Sequence, residues 1–226
     1  LWFLDRLEPG SPAYNIPLPL ALRGPLSIPA LQAALGEVVR RHESLRTTFA
    51  ERGGEPVQVI APPGGRFPLP VVDLAALPAG LGGVETRRLA IAEALRPFDL
   101  QRGPLFRATL VRTAGDEHAV LLDMHHAVSD LWSLGVLVRE ISLFYEAARD
   151  GRPTPLPGLP VQYGDFAVWQ RERLRGDVLE RQAEHWRRHL AGAPTLDLPT
   201  DRPRPPVQSF RGSSVAARLD GQGVQS

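Results

Sequence analysis

The chain has 226 residues, of which 43% are hydrophobic, and it carries a formal net charge of +1. It is long enough for a packed core and has no strongly basic balance to suggest nucleic-acid binding. The absence of cysteine excludes a disulfide scaffold and a cysteine nucleophile, and no apolar run is long enough to span a bilayer. With no secretory signal, we expect a cytoplasmic protein that binds neither nucleic acid nor membrane.

The first forty residues predict a helix end, an edge strand and a second helix. Residues 1–7 have the apolar spacing of a helix that lacks a start signal. Residues 14–22 alternate like a strand, and Pro17 and Pro19 would confine that strand to a sheet edge. Ser27 is a suitable N-cap for the helix that follows.

Short strands and helices continue to alternate along the rest of the chain. Strands are predicted at residues 47–50, 57–60, 69–72 and 106–111, and helices at residues 84–95, 161–175 and 178–190. The first two of these strands form a hairpin, and the proline-rich residues 151–160 form an exposed loop.

A buried strand and an amphipathic helix meet in the middle of the chain, at the pair His125 and His126. Residues 118–123 are short and mostly apolar, whereas apolar residues recur at helical spacing from residue 134 to 145. Ser129 or Asp130 can cap that helix. Neighbouring residues of an extended segment point to opposite faces, so only one imidazole can face a given cavity.

Spacing alone leaves the role of this pair open. A His-His pair at the end of a strand is often structural, and no second pair of ligands nearby predicts a zinc site. The chain also lacks the Gly-x-Ser-x-Gly elbow that would supply a serine for a histidine to activate. If the site is catalytic, we expect the histidine to act directly on a substrate, without a covalent intermediate.

Residues 125–130, His-His-Ala-Val-Ser-Asp, resemble the His-His-x-x-x-Asp motif of the condensation domains of nonribosomal peptide synthetases. Residues 1–4, 41–49 and 163–170 resemble three further motifs of that family, in the family's order. The family belongs to the chloramphenicol acetyltransferase-like superfamily. The resemblance therefore implies an α/β fold: one lobe of that type, with a mixed sheet flanked by helices and the second lobe absent.

The same resemblance implies a domain plan and a reaction. Residues 1–195 would be the N-terminal lobe, and residues 196–226 an extended crossover at the start of the missing C-terminal lobe. In the family, the amine of a carrier-bound aminoacyl thioester attacks a carrier-bound acyl or peptidyl thioester. The implied partners are upstream and downstream carrier domains, an adenylation domain and the missing lobe. The resemblance implies no metal and no directly bound cofactor. It does imply 4'-phosphopantetheine arms on the carrier domains, which hold the substrates.

The resemblance also assigns roles to individual residues. His126 would be the catalytic histidine, acting as a base or as a positioning acceptor. His125 should point into the lobe and form hydrogen bonds there. Asp130 would be structural and would pair with an arginine, for which Arg41 and Arg46 are the candidates.

Leu131 departs from the family, which usually has glycine at this position. Glycine is needed where φ is positive or where a ligand passes close to the backbone. Because Leu131 directly follows the cap, we expect a helical backbone there, with Leu131, Trp132 and Ser133 beside the substrate channel. Three alternatives stay open: a stand-alone acyltransferase, a non-catalytic relative that recruits another enzyme, and an epimerisation domain. We expect the fragment alone to be inactive.

Overall fold

The described part of the chain, residues 1–78, 80–203 and 205–206 of a computed structural model, contains six α-helices and six strands. In chain order they are α1 (Trp2–Leu7), β1 (Asn15–Arg23), α2 (Ile28–Arg41), β2 (Thr47–Arg52), β3 (Glu55–Ile60), β4 (Val71–Asp73), α3 (Leu81–Leu95), β5 (Phe106–Ala114), β6 (Glu117–His125), α4 (Leu131–Arg149), α5 (Tyr163–Arg173) and α6 (Asp177–His189). The predicted order of helices and strands is confirmed, with ends that differ by a few residues.

Four strands form a mixed sheet in the order β1-β6-β5-β4. β6 runs antiparallel to both β1 and β5, whereas β4 is parallel to β5. β1 is an edge strand, as Pro17 and Pro19 predict, because a proline has no N–H to donate to a neighbouring strand. β6 lies inside the sheet and ends at His125, so the sheet carries the histidine pair at the end of a strand that is bonded on both sides.

The predicted hairpin of β2 and β3 is present, but it forms a two-stranded sheet of its own. At the end of β2 nearest the 3₁₀ turn Glu43–Arg46, the Phe49 N–H donates to the Leu100 carbonyl at 2.7 Å. The hairpin therefore contacts the segment before β5 without joining the mixed sheet.

The main core lies between one face of the mixed sheet and the helices α2 and α4. Leu35 and Val38 of α2 and Met124 of β6 are fully buried there, and Phe144 of α4 is almost fully buried. Complete burial of an aliphatic or aromatic side chain of this size contributes about 1.5–3 kcal/mol. This packing fixes α4 against the sheet directly after the histidine turn.

α3 covers the opposite face of the sheet, where Leu74, Val111 and Leu121 form a smaller core cluster with Leu89 and Ala90 packed against it. With helices on both faces, β6 is buried along nearly its whole length. This explains why its sequence is an almost continuous apolar run rather than an alternating one.

The chain divides into two compact units, Leu1–Leu179 and Glu180–Ser226. In the second unit, α6 ends at His189 and residues 193–200 have no regular secondary structure. The predicted boundary at residue 195 stays a prediction, since most of the proposed crossover lies outside the described residues. Among the residues that are described, no helix combines the length and the apolarity needed to cross a membrane.

Candidate active site

The turn between β6 and α4 is held by backbone hydrogen bonds to the residues that directly precede the two neighbouring strands, β1 and β5. The His125 N–H donates to the Leu105 carbonyl at 3.0 Å, and the His126 N–H donates to the Tyr14 carbonyl at 2.8 Å. The Val128 N–H closes the turn on the His125 carbonyl at 3.0 Å. Backbone hydrogen bonds alone therefore fix the positions of the two histidines.

His125 points into the lobe and is only 3% exposed. Its Nδ1 accepts a hydrogen bond from the Ala127 N–H at 3.0 Å, so the ring proton is on Nε2 in the neutral form. Burial, together with the positive charge that His126 can carry, lowers the pKa of His125 to about 4. The side chain is thus neutral at physiological pH and supports the turn from inside.

His126 lies on the exposed side of the turn, and its orientation fixes its tautomer. Its Nδ1 is 2.9 Å from the Ser129 carbonyl oxygen. A carbonyl can only accept, so Nδ1 carries the proton and the lone pair of the neutral ring is on Nε2. An imidazole held in this way can accept a proton from a substrate at Nε2.

A cavity of about 340 Å³ adjoins the His126 side chain. Residues 126–130 form one part of its wall, and Ser44, Ser133 and Tyr163 contribute to the rest. Tyr163 belongs to the last of the four motif-like stretches, and Ser44 to the second. The fold thus brings three of the stretches to one cavity, and Leu1, from the first, also lines it.

A second cavity, of about 140 Å³, lies next to the first. The two share Ser44, Val128, Ser129 and Ser133 as wall residues. Its other walls are mainly apolar, including Leu45, Met124, Val136 and Leu137. Together, the two cavities place one imidazole and several hydroxyl groups beside apolar space.

Asp130 caps α4 and does not form the predicted ion pair. Its Oδ1 accepts from the Ser133 N–H at 2.8 Å and from the Ser133 hydroxyl at 2.6 Å. These hydrogen bonds from Ser133 lower the pKa of the Asp130 carboxyl. The predicted pairing of Asp130 with Arg41 or Arg46 is wrong, because the free N–H groups at the start of α4 already engage this exposed carboxylate.

The two arginines bind other partners. Arg41 Nε lies 3.1 Å from Glu140 Oε1, and its guanidinium also donates to the Pro157 carbonyl. Arg46 pairs with Glu43 at 3.2 Å and donates to the Ala61 carbonyl. Both arginines hold the segment between α2 and β2, which carries the cavity residue Ser44.

Sequence reasoning missed Glu140 and His42. Glu140 lies on the buried face of α4, and its two carboxylate oxygens bind Arg41 and His42, the latter at 2.6 Å from His42 Nε2. His42 in turn lines the smaller cavity. A carboxylate within the apolar stripe of a predicted helix was the available signal, because such a group is rarely buried without a cationic partner.

Leu131, Trp132 and Ser133 form the first turn of α4. The backbone of Leu131 is helical, as predicted, so the missing glycine creates no left-handed strain. Its side chain is 84% exposed and is not among the residues that line either cavity. Trp132 lines the smaller cavity and Ser133 lines both. Leucine at position 131 therefore leaves the approach to His126 open.

No group of three or more His, Cys, Asp and Glu side chains placed to bind a metal ion occurs in the described ranges. The polar side chains that line the two cavities include the imidazoles of His126 and His42, the carboxylate of Asp130, three serine hydroxyls, the Tyr163 phenol and the Trp132 indole N–H. These groups can accept and donate protons and hydrogen bonds.

Comparison with known proteins relates this geometry to one family. The sequence profile described as "Condensation domain" matches residues 1–226. The chain is 49% identical over 215 residues to a linear gramicidin synthase of Brevibacillus parabrevis, a match that covers 95% of the chain and 3% of that protein. It is 47% identical over 220 residues to chondramide synthase of Chondromyces crocatus, with 97% and 6% covered.

Solved structures agree with the sequence relatives. The first condensation domain of the calcium-dependent antibiotic synthetase, solved with a substrate analogue, is 27% identical with a TM-score of 0.74. That match covers 85% of this chain and 46% of the solved chain. The chain therefore spans a small part of the large synthases and a little less than half of a solved condensation domain.

Proposed function

The chain belongs to the condensation-domain family of nonribosomal peptide synthetases, and from this we propose that it forms amide bonds between carrier-bound substrates. In this proposal the chain supplies the lobe that carries the catalytic imidazole. The donor is an acyl or peptidyl thioester and the acceptor an aminoacyl thioester. Both are held on 4'-phosphopantetheine arms of an upstream and a downstream carrier domain, with an adenylation domain in the same assembly line.

The proposed reaction forms one C–N bond and breaks one C–S bond. The acceptor amine attacks the thioester carbonyl carbon and gives a tetrahedral adduct with an ammonium next to an oxyanion. Nε2 of His126 accepts a proton from that nitrogen. The adduct then expels the thiolate of the donor arm, which takes up a proton, so that the products are an amide and a free pantetheine thiol.

The single observation that supports this role is the contact between His126 Nδ1 and the Ser129 carbonyl at 2.9 Å. This contact leaves the lone pair of Nε2 available to accept a proton, and it fixes the ring relative to the cavity. A free α-amine has a pKa of about 7.7–8.0, so making it neutral at pH 7 costs only about 1 kcal/mol. The greater need for a base therefore arises after attack, when the adduct nitrogen must lose its proton.

The positioning of the two substrates can contribute as much to the rate as the basicity of His126. Holding two reactants in attack geometry replaces a bimolecular step by an effectively unimolecular one. Tyr163 and Ser44 on the walls of the larger cavity, and the apolar space beside it, suit the confinement of two arms and their acyl groups. We infer that the lobe combines this confinement with the acceptor at Nε2.

A transfer assay with the full-length parent protein tests the proposal. One carrier is loaded with an acyl donor and the other with an aminoacyl acceptor, and intact-protein mass spectrometry follows the mass of each arm. We expect the acyl group to appear on the acceptor arm as an amide. Transfer only to soluble amines or alcohols would instead favour a stand-alone acyltransferase.

The same assay in heavy water separates the remaining alternatives. An epimerisation domain would exchange the α-hydrogen of a carrier-bound residue for deuterium without transferring the acyl group. A non-catalytic relative would give neither exchange nor transfer. Amide formation without deuterium incorporation is the result we expect.

A further inference from the structure

An ion pair that no motif identified lies inside the sheet, two residues before the histidine pair. Arg107 of β5 and Asp123 of β6 are directly opposite each other in the antiparallel register. Arg107 Nη2 lies 2.7 Å from Asp123 Oδ2, and Asp123 is 2% exposed. A carboxylate within the apolar run of β6 is costly to bury and needs such a partner.

The Arg107 guanidinium also holds the end of α3. Its Nη2 donates to the Glu93 carbonyl at 3.0 Å and to the Arg96 carbonyl, and its Nη1 donates to the Pro97 carbonyl at 3.2 Å. The last carbonyls of a helix have no partner within the helix and carry partial negative charge. One planar cation therefore fixes both the end of α3 and the segment that leaves it.

That segment carries Phe98, which contacts both Arg107 of the ion pair and His125 of the histidine turn. The Arg107 guanidinium carbon lies 3.8 Å from the centre of the Phe98 ring. Phe98 also contacts His125 edge-on, with ring centres 6.2 Å apart and planes at 80°. His125 in turn accepts the Ala127 N–H, within the turn that carries His126.

We propose that Arg107 and Asp123 are positioning residues for His126, acting through Phe98 and His125. The inference rests on the proposed function, because it assigns a role in the same reaction. A misplacement of about 1 Å in a catalytic group can cost roughly 10²-fold in rate. The ion pair is suited to prevent such a misplacement, because it connects β6, the end of α3 and the aromatic contact between Phe98 and His125 in one rigid unit.

The test measures single-turnover amide formation in the full-length parent protein. Arg107→Met and Arg107→Lys should each lower the rate by roughly 10-fold or more while the KM for the carrier-bound acceptor stays within about 2-fold. Lysine should not rescue the rate, because it keeps the charge but not the planar fork that serves several acceptors. Asp123→Asn retains an oxygen acceptor for Arg107 and should lower the rate less.

Arg112 provides a matched control on the same strand. It pairs with Asp73 of β4 at 2.7 Å, but both side chains are about half exposed and lie at the other end of β5. Arg112→Met should leave the rate within about 2-fold of the wild type. An equal loss of rate in both arginine variants would overturn the positioning role, since it would indicate a general effect on the sheet.

Imidazole nitrogen chemical shifts separate positioning from stability. In wild-type protein they should report a single neutral tautomer of His126 with the proton on Nδ1. Folded Arg107→Lys or Asp123→Asn protein should show a mixture of tautomers. Wild-type tautomer and rate in both variants would refute the proposal. If His126→Ala retained the wild-type rate, the role proposed for His126 in the reaction would fail, whereas a tautomer shift in the arginine variant would still show that the ion pair orients the ring.

Discussion

At the scale of single residues, His125 links the stability of the lobe to pH. Its pKa in the folded chain is about 4, below the ordinary value near 6.5, chiefly because the ring is buried. Between these two values the unfolded chain binds a proton that the folded chain does not. The stabilisation is therefore fully present above about pH 6.5 and is lost as the pH falls towards 4.

We predict that His125→Asn abolishes most of this dependence. Asparagine does not titrate, and its side-chain oxygen can accept the Ala127 N–H in place of Nδ1. Between pH 7 and pH 4.5, the free energy of unfolding should fall by roughly 2–3 kcal/mol more in the wild-type chain than in the variant. Urea unfolding at both pH values measures the difference, and equal losses in the two proteins would contradict the prediction.

Asp123 also titrates in this pH range, so the effect of His125 has to be measured as a difference between the wild-type chain and His125→Asn. Burial raises the pKa of its carboxyl to about 6, against the opposing effect of Arg107. A raised pKa means that the folded chain binds the extra proton, so this carboxyl favours folding as the pH falls from about 6 to 4. The two residues act in opposite directions over the same pH range, and only the difference between wild type and His125→Asn isolates the histidine.

The identities of the paired residues were the least predictable part of the site. The strand–turn–helix arrangement and the opposite faces of His125 and His126 follow from local periodicity. Capping of α4 by Asp130 also agrees with the sequence, where Ser129 and Asp130 were the two suitable caps. The lack of an arginine partner was not predictable, because any cation within reach was compatible with the sequence. The carboxylate instead binds the nearest N–H and hydroxyl of its own helix, which require no tertiary contact.

At the scale of elements, Glu140 fastens α4 to the end of α2. It is 7% exposed and is the shared partner of Arg41 and His42. We predict that Glu140→Ala lowers the free energy of unfolding by about 3–5 kcal/mol, because it leaves the largely buried Arg41 guanidinium, which is 10% exposed, without its counter-charge. Chemical unfolding of the two chains at neutral pH measures this.

Glu146 is the matched control for this change. It lies on the same helix but is exposed. Glu146→Ala should change the free energy of unfolding by less than about 0.5 kcal/mol. Similar effects of the two substitutions would mean that the cluster of Glu140, Arg41 and His42 contributes nothing beyond a surface carboxylate.

The N-terminus of α4 gives a smaller and separable effect. Asp130→Ala removes the cap and should cost about 1 kcal/mol, whereas Asp130→Asn retains a capping oxygen and should cost less. The measurement is again the free energy of unfolding. If Asp130→Ala lowered the free energy of unfolding as much as Glu140→Ala does, the result would support the buried ion pair that the sequence suggested for Asp130.

Helices and strands were predictable where a local sequence signal, such as a proline or a helix cap, determines them. Pro17 and Pro19 identified an edge strand, and Ser27 marked a helix start. The hairpin of β2 and β3 was also predictable, but its separation from the main sheet was not, because strand partners are chosen by packing distant in sequence. Arg107 and Asp123 likewise meet only through the register of β5 with β6.

At the scale of the whole molecule, the chain corresponds to one lobe of a larger domain. It covers 46% of a solved condensation domain, and it exposes large apolar side chains near the site, including Trp132 at 86% and Tyr163 at 56%. Soluble proteins rarely leave such side chains clustered in water without a partner. The family, and hence this partial coverage, was predictable from four short motifs, whereas the donor and acceptor groups leave no comparable pattern.

We predict that residues 1–226 alone do not catalyse carrier-to-carrier transfer. The reason is that the proposed reaction needs a site that excludes water and aligns two arms, which we expect to require both lobes. The assay is the mass-spectrometric transfer assay with the isolated chain, using the full-length parent as the positive control. Acyl transfer by the isolated chain at a rate within about 10-fold of the parent would show that one lobe suffices.

The most direct test of the account is the single-turnover rate of amide formation for His126→Ala in the full-length parent. If His126 is the general base or positioning acceptor that we propose, its loss should lower this rate by roughly 10²-fold or more, while the exposed position of His126 leaves the fold intact. We expect that loss together with an unchanged unfolding transition. A folded His126→Ala protein that forms the amide at the wild-type rate would contradict the account.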